Sequence, residues 1–221
     1  MNILLDHFDI HMPWGYDYFK ELIKPEMKVA YLPLAFHEDW IHNAEEWEGW
    51  YGKYTGSHYS MFTKPFLAFG IREDNIEYIN YFKDDTASAI RKIIESDIVI
   101  FAGGMPDKIM EKLKEMELIN TVEAYPGIIM GWSAGSMMQC EDYYISPDED
   151  YPEYSRRQGL KGLKGFAVEV HYRGEPHQTA SIQRYKKETG NKVYVTSDES
   201  AIIVENKNVK LLGNAREYIG E

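Results

Sequence analysis

Short apolar runs alternate with amphipathic stretches along most of the chain. Ile3-Leu4-Leu5, Lys28 to Leu34, Glu77 to Tyr81 and Asp97 to Phe101 read as strands. The last is almost wholly apolar, the composition of a strand covered on both faces. Tyr16 to Ile23 reads as a short helix. Asp85 suits a helix N-cap, and Ala87, Ile90, Ile93 and Ile94 recur behind it at helical spacing. Asp107 is placed to cap a second helix holding Ile109, Met110, Leu113 and Met116. Tyr125-Pro126-Gly127-Ile128-Ile129-Met130 supplies a further buried strand. This alternation predicts an α/β fold with a mostly parallel central sheet and helices on both sides, a three-layer sandwich.

Beyond about residue 165 the pattern changes. Phe166 to Val170 reads as a strand and Thr179 to Thr189 as a polar helix. Lys192 to Thr196, Ala201 to Val204 and Val209 to Leu212 then follow closely. Glu205-Asn206-Lys207-Asn208 turns the last two into a C-terminal hairpin. No repeat, linker or low-complexity tract interrupts the chain, so residues 1–221 are expected to form one domain.

The strand ending near Met130 leads into Gly131-Trp132-Ser133-Ala134-Gly135, followed by the small, helix-compatible stretch to Gln139. Strand, Gly-x-Ser-x-Gly and helix make a nucleophile elbow. Its glycines relieve a tight turn, its serine projects from the tip, and free N–H groups at the helix start face a developing oxyanion. Phe101-Ala102-Gly103-Gly104-Met105-Pro106-Asp107 is a second glycine turn between a core strand and a helix. It lacks the Gly-Lys-Ser/Thr ending of a phosphate loop. It can instead offer oxyanion donors from Gly103 and Gly104, beside that of Ala134.

A serine needs a base, and the base needs an orienting group. Of the seven histidines, His171 ends the strand Val168-Glu169-Val170, where the carboxyl edge of a sheet enters the ligand crevice. His177 lies in a polar loop and comes second. Ser146-Pro147-Asp148-Glu149-Asp150-Tyr151-Pro152-Glu153 offers carboxylates between serine and histidine. Strand alternation turns Glu169 away from such a role. The His7, Asp9, His11 and His37, Glu38, Asp39, His42 groupings contain no His-Glu-x-x-His, so no metal and no cofactor is expected. Trp47, Trp50, Tyr51 and Tyr54 share one stripe at helical spacing, suited to a roof over the site or to a homodimer contact.

The formal net charge of −12 argues against nucleic acid as a partner. No apolar run approaches the roughly 20 residues that span a bilayer, so no membrane partner is expected. Cys140 is the only cysteine, and with no signal-peptide pattern this points to a cytoplasmic protein.

Together these pieces resemble the peptidase E (aspartyl dipeptidase) family of serine peptidases, which has a class I glutamine amidotransferase-like fold. The resemblance rests on Gly131-Trp132-Ser133-Ala134-Gly135, the Phe101-Ala102-Gly103-Gly104 turn and the Val170-His171-Tyr172 strand end, in order and spacing along residues 77 to 172. It implies Ser133 as nucleophile, His171 as base, and Gly103 and Gly104 as oxyanion donors. It also implies an acid in the loop after the serine, best matched by Asp148, with Glu149 and Asp150 as neighbours. The chain departs from the family where Met105, Pro106 and Asp107 replace Gly-Asn-Thr. No Glu-Thr-Arg segment follows the histidine, and Arg173 and Arg184 are displaced from its place, which puts a preference for aspartyl substrates in doubt. A true glutamine amidotransferase would carry cysteine at the elbow and an acid two positions after the histidine; here those positions hold Ser133 and Arg173. The expected function is hydrolysis of short peptides through an acyl-enzyme. An esterase of α/β-hydrolase type and a non-catalytic small-molecule-binding protein of the same fold are the alternatives.

Overall fold

A computed structural model describes residues 1–220. The chain begins with β1 (Asn2–Leu5), α1 (Pro13–Leu22) and β2 (Val29–Leu32). The aromatic-rich stretch then forms α2 (Ala44–Tyr51) and α3 (Tyr59–Ala68), followed by β3 (Ile76–Tyr78), α4 (Thr86–Ile94) and β4 (Ile98–Phe101). Next come α5 (Pro106–Glu115), α6 (Ile119–Glu123), β5 (Ile128–Trp132) and the short α7 (Ala134–Met137). The last part contains β6 (Asp142–Ile145), β7 (Ser155–Gln158), β8 (Phe166–Glu169), α8 (Pro176–Thr189), β9 (Lys192–Val195), β10 (Ser200–Glu205), β11 (Asn208–Gly213) and β12 (Arg216–Glu217).

Seven strands form the main sheet in the order β11-β10-β1-β5-β4-β2-β3, flanked by helices. β1, β5, β4, β2 and β3 run parallel, and the β10–β11 hairpin adds antiparallel to β1. Every residue of β2, β4 and β5 is buried, as their near-continuous apolar runs require of strands covered on both faces. The hairpin turns at Asn206 and Lys207, both at positive φ (50° and 67°), the conformation that a tight two-residue hairpin demands. The three-layer α/β reading therefore holds.

Two local expectations change. Asp85 caps α4 through Ser88 N–H, but Asp107 does not cap α5: the N-cap is Met105, and Pro106 occupies the first turn. Asp107 sits two residues past the N-cap, where its carboxylate accepts instead from the Tyr151 hydroxyl. β8 does not join the main sheet. It pairs in parallel with β9 in a separate three-stranded sheet, β12-β9-β8, so His171 reaches the site from a second layer of strands. Between elbow and histidine, β6 and β7 pair as an antiparallel hairpin, with residues 146–154 as its loop.

Candidate active site

Register builds the site. Along β1 and β5, Leu5 pairs with Trp132, so the residues that follow, Asp6 and Ser133, leave adjacent parallel strands at the same level. The Ser133 N–H donates to Leu5 O at 3.0 Å. The buried Ser136 hydroxyl accepts the Leu5 N–H at 2.8 Å and lies 2.8 and 2.7 Å from the carbonyls of Leu5 and Gly131. The elbow and the end of β1 are thus one hydrogen-bonded unit.

Ser133 itself has φ 50° and ψ −120°, a strained backbone for a non-glycine residue. It turns directly from β5 into α7, and a Cβ at Gly131 would overlap Gly135 O, so the flanking glycines are what allow the turn to close. At the glycine turn, Gly104 has φ 129°, and a Cβ there would overlap Ala35 O. The next N–H, of Met105, is tied to Ala35 O at 2.9 Å. Gly103 lies against the elbow: a Cβ on it would come within 3.2 Å of Ser133 Cβ. The Ala134 N–H is in the first turn of α7 and has no intrahelical acceptor. Gly103, Gly104 and Ala134 are therefore grouped around Ser133.

The structure brings Ser133 and His171 together, with Ser133 Oγ 2.8 Å from His171 Nε2. The carboxylate on the other side of the ring is Asp6. Its Oδ2 lies 3.1 Å from His171 Nδ1, and its Oδ1 accepts the His171 backbone N–H at 2.6 Å and the Thr196 hydroxyl at 2.9 Å. Asp6 is fully buried. Burial alone would raise its pKa, but the hydrogen bonds and charge of His171, with the Thr196 hydroxyl, hold it below the ordinary aspartate value. His171 also adopts positive φ (53°) and is clamped by Gln178, whose Nε2 donates to His171 O at 3.0 Å.

Asp148, matched to the acid by resemblance, is not placed against His171. Its Oδ1 accepts the N–H groups of Asp150 (2.9 Å) and Tyr151 (2.7 Å), folding the loop on itself as an Asx-type turn. Asp148, Glu149 and Asp150 are all exposed. Glu169 is buried, bonded by the Ser146 hydroxyl at 2.8 and 2.9 Å, and its burial pushes its pKa up to about 7. His177 is exposed, its Nδ1 3.4 Å from Glu175. Sequence reasoning missed Asp6: it directly follows an apolar strand, as Ser133 does, but no local pattern places that strand beside the elbow.

One grouping has the chemistry of a metal site. Ligand atoms of Asp6, His7 and His171 lie within 4.8 Å of one another. Two of the three are already joined in the serine–histidine–carboxylate chain, and His7 Nε2 lies 3.1 Å from Asp198. No helix of the described residues is long and apolar enough to cross a membrane.

A sequence model described as peptidase family S51 matches residues 15–212. The chain belongs to peptidase family S51. It is a serine-type peptidase, in agreement with the resemblance to peptidase E. Among solved structures, the S51 chain is similar to a protein of peptidase E type from Listeria monocytogenes EGD-e, with TM-score 0.66 and 15% identity over 95% of this chain and 96% of that one. It is also similar to a peptidase from an acI-B1 Actinobacterium, with TM-score 0.63 and 14% identity over 100% of this chain and 87% of that one. Both establish the fold. No curated protein sequence matches this S51 chain.

Proposed function

We propose that the protein hydrolyses short peptides, as a dipeptidase does, with Ser133, His171 and Asp6 as nucleophile, base and orienting acid. The observation that carries this reading is the continuous chain Ser133 Oγ–His171 Nε2 (2.8 Å) and His171 Nδ1–Asp6 Oδ2 (3.1 Å). An ionised Asp6 holds the proton of His171 on Nδ1, which leaves Nε2 to accept from the Ser133 hydroxyl. Ser133 Oγ attacks the peptide carbonyl while its proton passes to Nε2. The N–H groups of Gly104 and Ala134, with Gly103 shaping the turn, hold the resulting oxyanion. Collapse breaks the C–N bond, and His171 delivers the proton to the leaving amine. Water activated by His171 then releases the acid and restores Ser133. Asp6 takes the role that resemblance assigns to Asp148, because among the described residues Asp6 is the carboxylate bonded to His171.

Access supports a small substrate. A cavity of about 340 Å³ on one side of Ser133 and one of about 220 Å³ on the other are the spaces next to the nucleophile, each of a size to take one or two residues of a short peptide. A dipeptide and ester panel with wild type and Ser133→Ala tests the reading. Peptide cleavage abolished by the substitution supports it; activity surviving in Ser133→Ala overturns it, and cleavage of esters alone would favour an esterase.

A further inference from the structure

The aromatic stretch between β2 and β3 has no role in the chemistry above, yet it forms one wall of the site. Trp47 and Tyr51 of α2 are buried, and Trp50 is half-buried; Trp50 and Tyr51 line a cavity that Ser133 also borders. The Trp50 ring stacks on His58 with centroids 5.0 Å apart and planes at 9°, so α2 and the start of α3 present a flat face. Trp40, Met61 and Phe62 complete this wall, and Trp132 of the elbow strand lines the same cavity. Phe62 and Trp132 are buried, with ring centroids 5.5 Å apart, so the inner end of the cavity is fixed by the core. Trp40 (40% exposed) and Met61 (50% exposed) form the mouth.

The same cavity is bordered by Ser133, His171, Gly103 and Gly104. Ser133, His171 and Gly104 also border the cavity on the other side, whereas Gly103 borders the aromatic one alone, so a substrate residue whose carbonyl oxygen lies against the Gly103–Gly104 turn can set its side chain next to the aromatic wall. Charge decides which side chain fits. No lysine or arginine lines this cavity, nor the one across Ser133, where Asp148 and Glu169 stand instead. The two arginines nearest in sequence to His171 are engaged elsewhere, Arg173 with Asp198 at 2.9 Å and Arg184 with Glu188 at 2.7 Å. A carboxylate entering the aromatic cavity would lose water without gaining a guanidinium or ammonium partner; the basic groups there besides His171 are imidazoles already engaged, His7 beside Asp6 and Asp198 and His58 by Ser57 Oγ and the Trp50 ring, which makes the exchange unfavourable. An aromatic or large aliphatic side chain would bury its surface against Trp50 and Phe62 instead.

We propose that the cavity walled by Trp50, Phe62 and Trp132 is the specificity pocket for an aromatic or large aliphatic residue on the acyl side of the cleaved bond. This rests on Ser133 being the nucleophile. It makes the protein selective for apolar rather than acidic residues at that position.

The test uses 1-aminoalkylphosphonate diphenyl esters bearing phenylalanine, leucine or aspartate side chains, together with a fluorophosphonate that has no such side chain. Covalent labelling of Ser133 is followed by intact mass. The phenylalanine and leucine probes should label wild type at least about 10-fold faster than the aspartate probe, the discrimination that one apolar pocket provides. Trp50→Ala and, at the exposed mouth, Trp40→Ala should reduce that ratio at least about 3-fold, each rate being normalised to fluorophosphonate labelling of the same variant so that a loss of pocket is told from a loss of Ser133 reactivity. Fluorophosphonate labelling with an equal or reversed phenylalanine-to-aspartate ratio overturns the pocket assignment and leaves the nucleophile standing. No labelling of Ser133 by any probe overturns the serine mechanism and the pocket with it.

Discussion

Asp6 engages both polar groups that His171 presents to it. The backbone N–H donates to Oδ1 at 2.6 Å and ring Nδ1 lies 3.1 Å from Oδ2. One carboxylate therefore fixes the ring and its supporting backbone together. The backbone bond offsets part of the roughly 1–3 kcal/mol that a non-glycine residue at positive φ costs, and His171 has φ 53°.

Asp6→Asn should lower kcat on a cleaved dipeptide by about 10³–10⁴-fold with little change in KM, because the amide cannot hold the required tautomer. Asp148→Asn, which touches only its own loop, should remain within about 3-fold of wild type. Steady-state kinetics on the two variants decides between them; the reverse ranking would return the acid to the loop after the elbow.

Of this arrangement, Ser133, His171 and the Gly103–Gly104 turn were legible because each sits at a strand end marked by local residue pattern. Asp6 was not, because its partner lies 165 positions away in sequence and the meeting depends on the parallel register of Leu5 with Trp132. Pattern alone shows that Ile3-Leu4-Leu5 is a strand, but not that it lies beside the elbow strand. Resemblance then directed attention to the loop at Asp148, where carboxylates are plentiful and exposed. The same limit applies to Phe166–Glu169, whose apolar run marks a strand without saying which sheet receives it. The dense aromatics from Trp40 to Phe62 mark helical faces by their spacing without saying what the faces do, because rings that line a site and rings that fill a core share one periodicity.

Glu169 should make stability fall as pH rises through neutrality. Its folded pKa, pushed up by burial to about 7, stands above the ordinary value of 4.5. Between those values the unfolded chain has lost the proton while the folded one keeps it, so the difference favours the fold at low pH and is lost towards pH 7. The full span is on the order of 3 kcal/mol. Glu169→Gln keeps an acceptor for Ser146 and removes the ionisation. Its Tm relative to wild type should rise from pH 5 to pH 8, read by thermal melts; a difference that does not vary with pH would contradict the assignment.

Ser136→Ala should cost about 1–3 kcal/mol by leaving the buried Leu5 N–H unpaired, since Ser136 Oγ accepts that group at 2.8 Å. Leu5 precedes Asp6, so kcat should fall as well. Urea unfolding and kinetics measured together test this. Unchanged stability with unchanged kcat would mean that the β1–elbow tie is not needed to place Asp6.

Gly104→Ala should lower kcat by about 10²–10³-fold, the scale of losing one oxyanion donor. The added methyl group would overlap Ala35 O and displace the turn, which already has φ 129°. Near wild-type turnover in a folded Gly104→Ala protein would remove this turn from the mechanism.

The most direct test of the central claim is the site and rate of fluorophosphonate labelling, followed by peptide mass mapping, in wild type, His171→Ala and Asp6→Asn. Ser133 as the modified residue, with labelling slowed at least about 100-fold in His171→Ala and measurably in Asp6→Asn, is the predicted result. Modification at another residue, or an equal rate in all three proteins, would contradict it.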